Sequence, residues 1–370
     1  MQSATPRADA SVARTAEDLT AAWFTSALRR AGVLADGGAV ETVTTAPIGT
    51  GQMSVVLRAS LTYSADGGAR AEGPPSFVVK LAAADGPGRA TGHGMGFYLA
   101  EVRFYRDVAP TVGIRVPACH LAEIDTDEGW FTLLMANTPS AGVGDMVEAG
   151  TVARAASALR ELVGLQAPRW QDPALRTADW LQPTSWIAFA HTFPDSLTPF
   201  LSRFGDRLTP EEIALCEKVM PHAVSWLRAW SGPMVLQHGD FRPDNVLFDV
   251  VDTDGREELT VFDWQTVRVG PPLVDAGNYV GGSLTVADRR AAELELIRGY
   301  HDGLRAAGVT CYPWDDCWTD YRRYALYGVY GYVGTSPHVQ PSERGDQLYL
   351  AAFRRFAAQA IDLEADRFLP

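Results

Sequence analysis

The stretch HGDFRPDNVLF, residues 238–248, constrains this chain more than any other part of it. It places Asp240 five residues before Asn245, with Pro243 between them, and a proline fixes one backbone dihedral of the loop. Fifteen residues beyond the stretch, a second short apolar run ends at Asp263. An Asp, an Asn and a second Asp across a β-hairpin are the groups that metal-assisted phosphoryl transfer requires.

Each side chain of this set has a predicted role in that chemistry. Asp240 would accept or orient the proton of an attacking hydroxyl. Asn245 offers a neutral oxygen ligand and Asp263 a charged one, a combination that suits Mg²⁺. Arg242 would neutralise charge on the transferred phosphate, while His238 would position the loop. The alternative is a solvated polar turn, but chance matches to His-Gly-Asp-x-x-x-x-Asn are expected at a frequency on the order of 10⁻³ or fewer in such a chain.

The first third of the chain adds a candidate ion pair. Lys80 lies within the apolar run SFVVKLA, where a buried ammonium group needs a carboxylate or a phosphate as partner. Glu101 lies twenty-one residues later on a predicted helix and can supply that carboxylate. The pair would hold the ammonium toward nucleotide phosphates. The alternative is an edge-strand lysine that reaches solvent, and the motifs downstream favour the ion pair.

A glycine-containing turn lies between two β-rich runs upstream of Lys80. Gly49 and Gly51, followed by Ser54, would let backbone N–H groups approach a phosphate closely. The same glycines would also suit an ordinary β-hairpin. The turn therefore indicates a phosphate-binding site only together with the other motifs.

Composition and charge exclude several classes of protein. A net charge of −13 argues against nucleic acid as the main partner, because phosphate backbones select basic surfaces. The N-terminus lacks the apolar core of a secretory signal, and the longest apolar-looking run, residues 325–334, is far short of the ~20 residues of a membrane span. Four scattered cysteines indicate free thiols rather than a zinc site. We expect a cytoplasmic monomer or homodimer without a membrane partner.

The order of predicted elements indicates an α+β chain with two lobes. A flexible tail, residues 1–14, and a helix capped by Thr15 precede five strands, with one helix inserted after the third strand. The glycine-rich residues 85–96 are predicted to form a loop. After a break at residues 137–144 the pattern becomes mainly helical. We therefore predict a boundary between a lobe of residues 1–136 and a lobe of residues 137–370.

Together these motifs resemble the aminoglycoside phosphotransferase and ecdysteroid kinase-like superfamily, to which choline kinases and protein kinases are more distantly related. The resemblance rests on HGDFRPDNVLF, VFDWQ, FVVKL and EVRFY. It implies a protein-kinase-like bilobal fold, with a five-stranded antiparallel sheet and one helix in an N-terminal nucleotide-binding lobe. It also implies a larger, mainly helical C-terminal lobe that binds the substrate. ATP, with GTP left open, would bind between the lobes and donate its γ-phosphate to a small-molecule hydroxyl with the help of Mg²⁺.

The resemblance also implies a role for each matched residue. In the C-terminal lobe Asp240 would be the catalytic base, and Asn245 and Asp263 would be the metal ligands. Asp275 resembles the family's acid that braces the catalytic loop. Asp263 is followed by Trp-Gln rather than Phe-Gly, and only GPPLVDAG separates that region from the next helix. This leaves no room for a long activation loop, so a protein substrate is not expected.

In the N-terminal lobe the resemblance makes Lys80 and Glu101 the ion pair that binds phosphates. The segment from Met135 to Asn137 would be the hinge whose backbone contacts adenine. Intact catalytic and nucleotide-binding residues favour an enzyme over the alternative, a nucleotide-binding pseudokinase with a regulatory role.

The acceptor is the part of the prediction that the sequence leaves most open. Tyr321, Tyr324 and Tyr327 recur at helical spacing, which predicts a core stripe unless some of them line the cleft. If they do, a partly apolar acceptor is favoured over a polycation. An antibiotic, a steroid-like molecule, a sugar and an amino alcohol all remain open, as do a resistance role and a metabolic role.

Overall fold

The computed structural model describes residues 12–49, 53–65, 73–84, 86–250 and 257–370. The chain divides into two compact units. The first unit comprises Met1–Pro110 and Val116–Pro139, and the second comprises Thr111–Arg115 and Ser140–Pro370. The division of function between residues 1–136 and residues 137–370 stays a prediction.

The first unit is built on a five-stranded antiparallel sheet with the strand order β1-β2-β3-β5-β4. Its strands are β1 (Gly38–Pro47), β2 (Ser54–Ala65), β3 (Ser76–Ala82), β4 (Cys119–Asp125) and β5 (Trp130–Ala136). Its helices are α1 (Ala21–Arg30), α2 (Pro87–Gly94) and α3 (Phe97–Arg103). The last of these continues as a π-helix over Phe104–Val108.

Helix α1 buries one face in the core of this unit. Phe24, Ala27 and Leu28 follow the i, i+3, i+4 spacing of an amphipathic helix and are fully buried in one cluster with Phe77 of β3. The hydroxyl of Thr20 accepts a hydrogen bond from the third residue after it at 3.2 Å and so caps the helix. This packing orders one face of the sheet.

The structure differs from the sequence prediction at three places in the first unit. The predicted helix capped by Thr15 is wrong, because Thr15 precedes only a 3-10 turn over Ala16–Asp18, and α1 begins after Thr20. Ala13 falls in the predicted tail, of which residues 1–11 lie outside the described chain, yet it is buried. Its N–H donates to Thr132 Oγ1 at 2.8 Å, and its carbonyl accepts from the same hydroxyl at 2.9 Å. The predicted loop of residues 85–96 contains α2, which begins with Pro87 at a position where a missing N–H costs nothing.

The second unit is mainly helical. Its α-helices are α4 (Val152–Gln166), α5 (Pro173–Arg176), α6 (Thr184–Ala190), α7 (Phe193–Phe204), α8 (Pro210–Val219), α9 (Ala223–Arg228), α10 (Leu273–Ser283), α11 (Val286–Ala306), α12 (Trp314–Tyr324), α13 (Leu326–Thr335) and α14 (Glu343–Asp362). Its short strands are β6 (Gly142–Val143), β7 (Val235–Gln237), β8 (Val246–Val250), β9 (Glu257–Val261) and β10 (Arg268–Gly270). The predicted α+β class, with a five-stranded antiparallel sheet and a mainly helical remainder, is confirmed.

Helix α10 forms the centre of the second unit, and every one of its residues is buried. Such a helix needs small residues where neighbours approach. A Cβ at Gly281 would lie 1.9 Å from the side chain of Gln359, and one at Gly282 would lie 2.3 Å from Met146. The tight packing fixes the position of α10, and with it the polar side chains that α10 directs at residues 238–241.

The cysteines of this chain are free thiols, as predicted, and Cys216 and Cys317 are buried. Within the described residues, no group of three or more His, Cys, Asp or Glu side chains is arranged to hold a metal ion. No helix in the described chain is long and apolar enough to cross a membrane.

Candidate active site

Residues 238–245, here called the HGD loop, connect β7 to β8. The loop ends in a 3-10 turn over Pro243–Asn245, after which β8 pairs antiparallel with β9, Val246 opposite Val261. Phe262 follows β9, and its N–H donates to the carbonyl of Asn245 at 3.1 Å. The predicted hairpin is therefore present, and it brings the segment of Asn245 beside that of Asp263.

Asp240 is held in place by two neighbours in the HGD loop. Asn245 Nδ2 donates to the Asp240 carbonyl at 2.8 Å and to its Oδ2 at 3.0 Å. Arg242 Nε donates to the same Oδ2 at 3.0 Å. The Asp240 side chain is 40% exposed, whereas Asn245 is buried. Both contacts fall on Oδ2, so Oδ1 is the oxygen that can face a hydroxyl.

Arg242 lies between two carboxylates. Besides Asp240, its guanidinium contacts Asp244 Oδ2 at 3.4 Å. Burial alone would lower the pKa of Arg242, but its neighbours, above all the charge of Asp240, outweigh burial and raise it, so Arg242 is a permanent cation. Burial raises the pKa of Asp244, whose carboxylate also accepts from the N–H of Met146 at 3.0 Å. Arg242 therefore positions Asp240 as well as supplying positive charge.

His238 is fully buried and uses both ring nitrogens. Nε2 lies 2.9 Å from the carbonyl of Phe262, and Nδ1 accepts from the N–H of Asp240 at 3.3 Å. A ring that donates at Nε2 and accepts at Nδ1 is the neutral tautomer with its proton on Nε2. The contacts support the predicted positioning role of His238.

Helix α10 holds the backbone of the HGD loop through hydrogen bonds from two of its side chains. The carboxylate of Asp275 accepts the N–H groups of His238 at 2.6 Å and Gly239 at 3.0 Å. Burial raises the pKa of Asp275, and these two hydrogen bonds oppose that shift. Asn278, one turn later, donates to the carbonyl of Phe241 at 3.1 Å. Two side chains of one buried helix thus fix the backbone on both sides of the candidate base.

A second buried cluster, which the sequence did not predict, holds the other side of the loop. Arg268 of β10 donates to Gln237 Oε1 at 3.1 Å and to the Gly239 carbonyl at 3.4 Å. The hydroxyl of Tyr327 accepts from Arg268 and donates to the same carbonyl. Gly239 has φ +85°, and a Cβ there would lie 2.4 Å from the Thr266 carbonyl, so only glycine fits. The one feature of the sequence that could have indicated this cluster is an arginine, Arg268, inside the apolar run VRVG.

Asp263 lies at the turn that follows β9. Its backbone is left-handed, with φ 65° and ψ 59°, and it begins a 3-10 turn over Trp264–Thr266. Trp264 is fully buried, and its ring centroid lies 4.6 Å from that of His238. The tryptophan that replaces the protein-kinase phenylalanine is therefore part of the support of the HGD loop.

The side chains of Asn245 and Asp263 fit a divalent cation. The amide nitrogen of Asn245 is engaged by Asp240, so its carbonyl oxygen is the atom that remains for a metal. Asp263 adds a partly exposed carboxylate. Mg²⁺ usually takes one or two side-chain ligands from the protein, and substrate phosphates and water complete its shell. The roles of both residues as metal ligands stay predictions.

In the first unit, the predicted ion pair between β3 and α3 is present. Lys80 Nζ lies 2.9 Å from Glu101 Oε1 and 2.7 Å from Oε2. Lys80 is 5% exposed and Glu101 is 1% exposed. A buried ammonium group of this kind is stabilised by a carboxylate beside it. The predicted contact with phosphates stays a prediction.

The other nucleotide-binding candidates lie at the ends of strands in the first unit. Gly49 follows β1 with φ +80°, and Ser54 begins β2 opposite Ala82. Gly51 lies outside the described residues. A positive φ at Gly49 is consistent with the predicted turn.

The predicted hinge residues lie at the end of β5. Met135 is buried and pairs with Val78 of β3 and with Cys119 of β4. Asn137 follows the strand, and its Nδ2 donates to Ser76 Oγ at 2.9 Å. The side chain of Asn137 is therefore occupied, and the backbone is what this segment offers a ligand. Adenine binding there stays a prediction.

The tyrosine stripe belongs to the core of the second unit. Tyr321, Tyr324 and Tyr327 are all buried, as the helical spacing predicted. Asp320 accepts from the hydroxyl of Tyr312 at 2.8 Å, so it is not free for an amino group of a ligand. Trp186 remains partly exposed, and its ring centroid lies 6.3 Å from that of Tyr327.

Comparison with known proteins identifies the family. A family model described as a phosphotransferase enzyme family matches residues 62–310. No curated protein sequence matches the chain. Similar solved structures include a GDP complex of an aminoglycoside 2'-phosphotransferase-IIIa variant (12% identity, 88% of this chain and 92% of that chain, TM-score 0.48). They also include an ethanolamine kinase from Plasmodium vivax (9% identity, 93% of this chain and 89% of that chain, TM-score 0.47). A third is a microcompartment-associated aminopropanol kinase (15% identity, 89% of this chain and 94% of that chain, TM-score 0.44).

The family model spans more than half of the chain and includes Lys80, Asp240 and Asp263. The resemblance inferred from the motifs is confirmed: the chain belongs to the phosphotransferase enzyme family.

Proposed function

We propose that the protein is an ATP- and Mg²⁺-dependent O-phosphotransferase that moves the γ-phosphate to a hydroxyl of a small molecule. The observation that carries the proposal is the setting of Asp240. One of its oxygens is fixed by Asn245 and Arg242, while the side chain remains 40% exposed. A carboxylate that is held in place and yet open to solvent suits a base that must meet a diffusing substrate.

In this proposal the second unit positions the acceptor. Oδ1 of Asp240 accepts the proton of the acceptor hydroxyl while the oxygen of that hydroxyl attacks the γ-phosphorus. Phosphoryl transfer has a loose transition state, so correct placement of that hydroxyl contributes more than base strength. Arg242 and Asn245 keep the carboxylate from rotating, and Asp275 and Arg268 keep the backbone of the HGD loop from moving.

The remaining candidate residues are proposed to bind the metal and the nucleotide. The carbonyl oxygen of Asn245 and the carboxylate of Asp263 would hold Mg²⁺. When bound, Mg²⁺ would neutralise the charge that develops on the phosphate oxygens. In the first unit Lys80, oriented by Glu101, would bind nucleotide phosphates. ATP is the proposed donor, with GTP as the donor to compare.

The acceptor we propose is a partly apolar alcohol rather than a polycation. Asp244, the other acid of the HGD loop, is already engaged by Arg242 and by the N–H of Met146. A partly exposed aromatic ring lies beside the loop instead, because Trp186 packs at 5.3 Å from the guanidinium of Arg268, which donates to the Gly239 carbonyl. Amine-rich acceptors need free carboxylates, whereas aromatic surfaces suit apolar rings.

We further propose that the enzyme works in the cytoplasm as a monomer or homodimer. Its net charge of −13 supports the absence of a nucleic-acid partner. Antibiotic inactivation and a metabolic step both fit this chemistry, and the identity of the acceptor distinguishes them.

The test is release of ADP from Mg·ATP across a panel of hydroxylated antibiotics, steroid-like alcohols, sugars and amino alcohols. With an acceptor in hand, Asp240→Asn should lower turnover by on the order of 10²–10⁴-fold without unfolding the protein. The matched control is Asp206→Asn, a change at an exposed position outside the site, which should retain activity. Full turnover by Asp240→Asn would refute the assignment of the base. Stabilisation by Mg·ATP with no turnover on any acceptor would favour the pseudokinase.

A further inference from the structure

A groove on the first unit has no part in the proposed reaction. It lies among the end of α1, the π-helix after α3 and strand β4. The side chains that matter for its chemistry are those of Arg30, Tyr105, Arg106, His120, Leu121 and Glu123. Its volume is about 350 Å³, within the range of roughly 300–1,000 Å³ that is typical of small-ligand sites.

The groove carries one positive charge that its own walls do not compensate. Arg106 forms an ion pair with Glu123, so these two charges cancel. The side chain of Arg30 is exposed and makes no hydrogen bond or ion pair within the described chain. Burial lowers the pKa of His120, which therefore adds a polar ring but no charge near neutral pH. The groove should prefer an anion.

The rest of the lining is mostly polar. Leu121 and Tyr105 border the groove but are only 8% and 6% exposed, so they add little apolar surface. Cys119 also lines the groove, but its thiol donates to the Leu121 carbonyl at 3.2 Å, and burial raises its pKa to about 12. A protonated thiol is a poor nucleophile, so a ligand here would be held without a covalent bond.

The walls of the groove also support the ion pair of this unit. Tyr105 lies four residues after Glu101 in one continuous helical stretch, so both move with the same backbone. Cys119 pairs with Met135 across β4 and β5. Helix α3, which carries Glu101, and the π-helix, which carries Tyr105, both pack against β4. Order gained at the groove should therefore extend to α3.

We propose that this groove is an effector site for a small organic anion, and that its occupation orders α3 and the Lys80–Glu101 ion pair. Carboxylates and phosphate monoesters share the chemistry that Arg30 recognises. The binding itself does not depend on the proposed function. Any consequence for turnover rests on it, because only then does Lys80 act on a nucleotide.

The binding test titrates the full-length protein with benzoate, phenyl phosphate and the neutral benzamide. At least one of the two anions should bind more tightly than benzamide, and the stronger anion identifies the headgroup. Arg30→Gln should weaken anion binding by about tenfold. Arg58→Gln, an exposed arginine of β2 in the same unit, should leave it unchanged. Equal binding of benzamide and both anions, or unchanged affinity in Arg30→Gln, would overturn the proposal.

The second test measures backbone hydrogen exchange at α3 with and without the stronger anion. Exchange should slow in the wild-type protein and in Arg58→Gln but not in Arg30→Gln. Unchanged exchange in a wild-type protein saturated with anion would overturn the link to the ion pair. Neither measurement requires a nucleotide, so failure of the ADP-release assay would count against the proposed function alone.

Discussion

Asp263 combines a proposed role as a metal ligand with an unusual backbone geometry. Its φ of 65° lies in the left-handed region, which Asp and Asn enter more readily than other residues with a Cβ. Glycine would adopt this conformation freely but would bring no metal ligand. An aspartate at this turn therefore supplies a carboxylate at modest cost to the fold.

A pair of substitutions separates these two contributions of Asp263. Asp263→Asn and Asp263→Ala should both reduce phosphoryl transfer by on the order of 10²-fold or more, because each removes the charge that is proposed to hold Mg²⁺. Only Asp263→Ala should also lower the free energy of unfolding, by about 1 kcal/mol, because alanine is disfavoured at positive φ. Urea denaturation measures the difference. Equal stability of the two variants would show that the backbone at this turn relaxes.

At the residue scale, sequence spacing predicted the groups that act within one loop. Asp240 and Asn245 are five residues apart, and the structure joins them by direct hydrogen bonds. The support from Arg268 and Tyr327 was not predicted. Tyr327 is 88 residues from Gly239, and its helical spacing indicated only that it belongs to the core. A contact between distant segments depends on packing, which local patterns do not contain.

At the scale of elements, β3 and α3 are joined by a charged contact inside an apolar core. The environment of Lys80 and Glu101 is nearly free of solvent. Removing one partner of such a pair leaves the other charge buried and uncompensated, whereas replacing both with apolar groups avoids that cost.

Substitutions of Lys80 and Glu101 should show directly that removing one partner costs more stability than replacing both. Lys80→Met should lower the free energy of unfolding by about 3 kcal/mol, and the double variant Lys80→Met with Glu101→Leu should recover most of that loss. Neither should bind a nucleotide normally, if Lys80 contacts phosphates. The control is Arg103→Met, which breaks the exposed ion pair between the end of α3 and Asp107 of the π-helix and should cost less than about 0.5 kcal/mol. A double variant less stable than Lys80→Met would contradict this account.

Strands were easier to predict than the helices around them. The five strands of the first unit and the β8–β9 hairpin follow from apolar runs with β-branched residues. Helix α2 was missed because its sequence, PGRATGHG, contains three glycines, which intrinsic propensity places in loops. Tertiary contacts decided the outcome, since Gly92 lies against Tyr98 too closely for a Cβ.

At the scale of the whole molecule, the division into units follows packing rather than chain order. Residues 111–115 fall among first-unit segments in the sequence, but they belong to the second unit. The N–H of Gly113 donates to the carbonyl of Gly164 in α4 at 2.8 Å, and the carbonyl of Arg115 accepts from Val261 at 2.9 Å. No change in composition marks residues 111–115, so the sequence prediction assigned this segment to the lobe of residues 1–136.

Two glycines inside helices test how firmly this segment is held. Glycine-to-alanine changes in a helix usually stabilise it by about 1 kcal/mol. A Cβ added at Gly299 of α11 would meet no atom within 4 Å, so Gly299→Ala should gain stability of that order. A Cβ at Gly164 would lie 2.9 Å from the Gly113 carbonyl carbon and 3.1 Å from the Ile114 nitrogen, both backbone atoms. Gly164→Ala should therefore lose about 1–3 kcal/mol in urea denaturation. A gain like that of Gly299→Ala would show that residues 111–115 can leave α4 without cost.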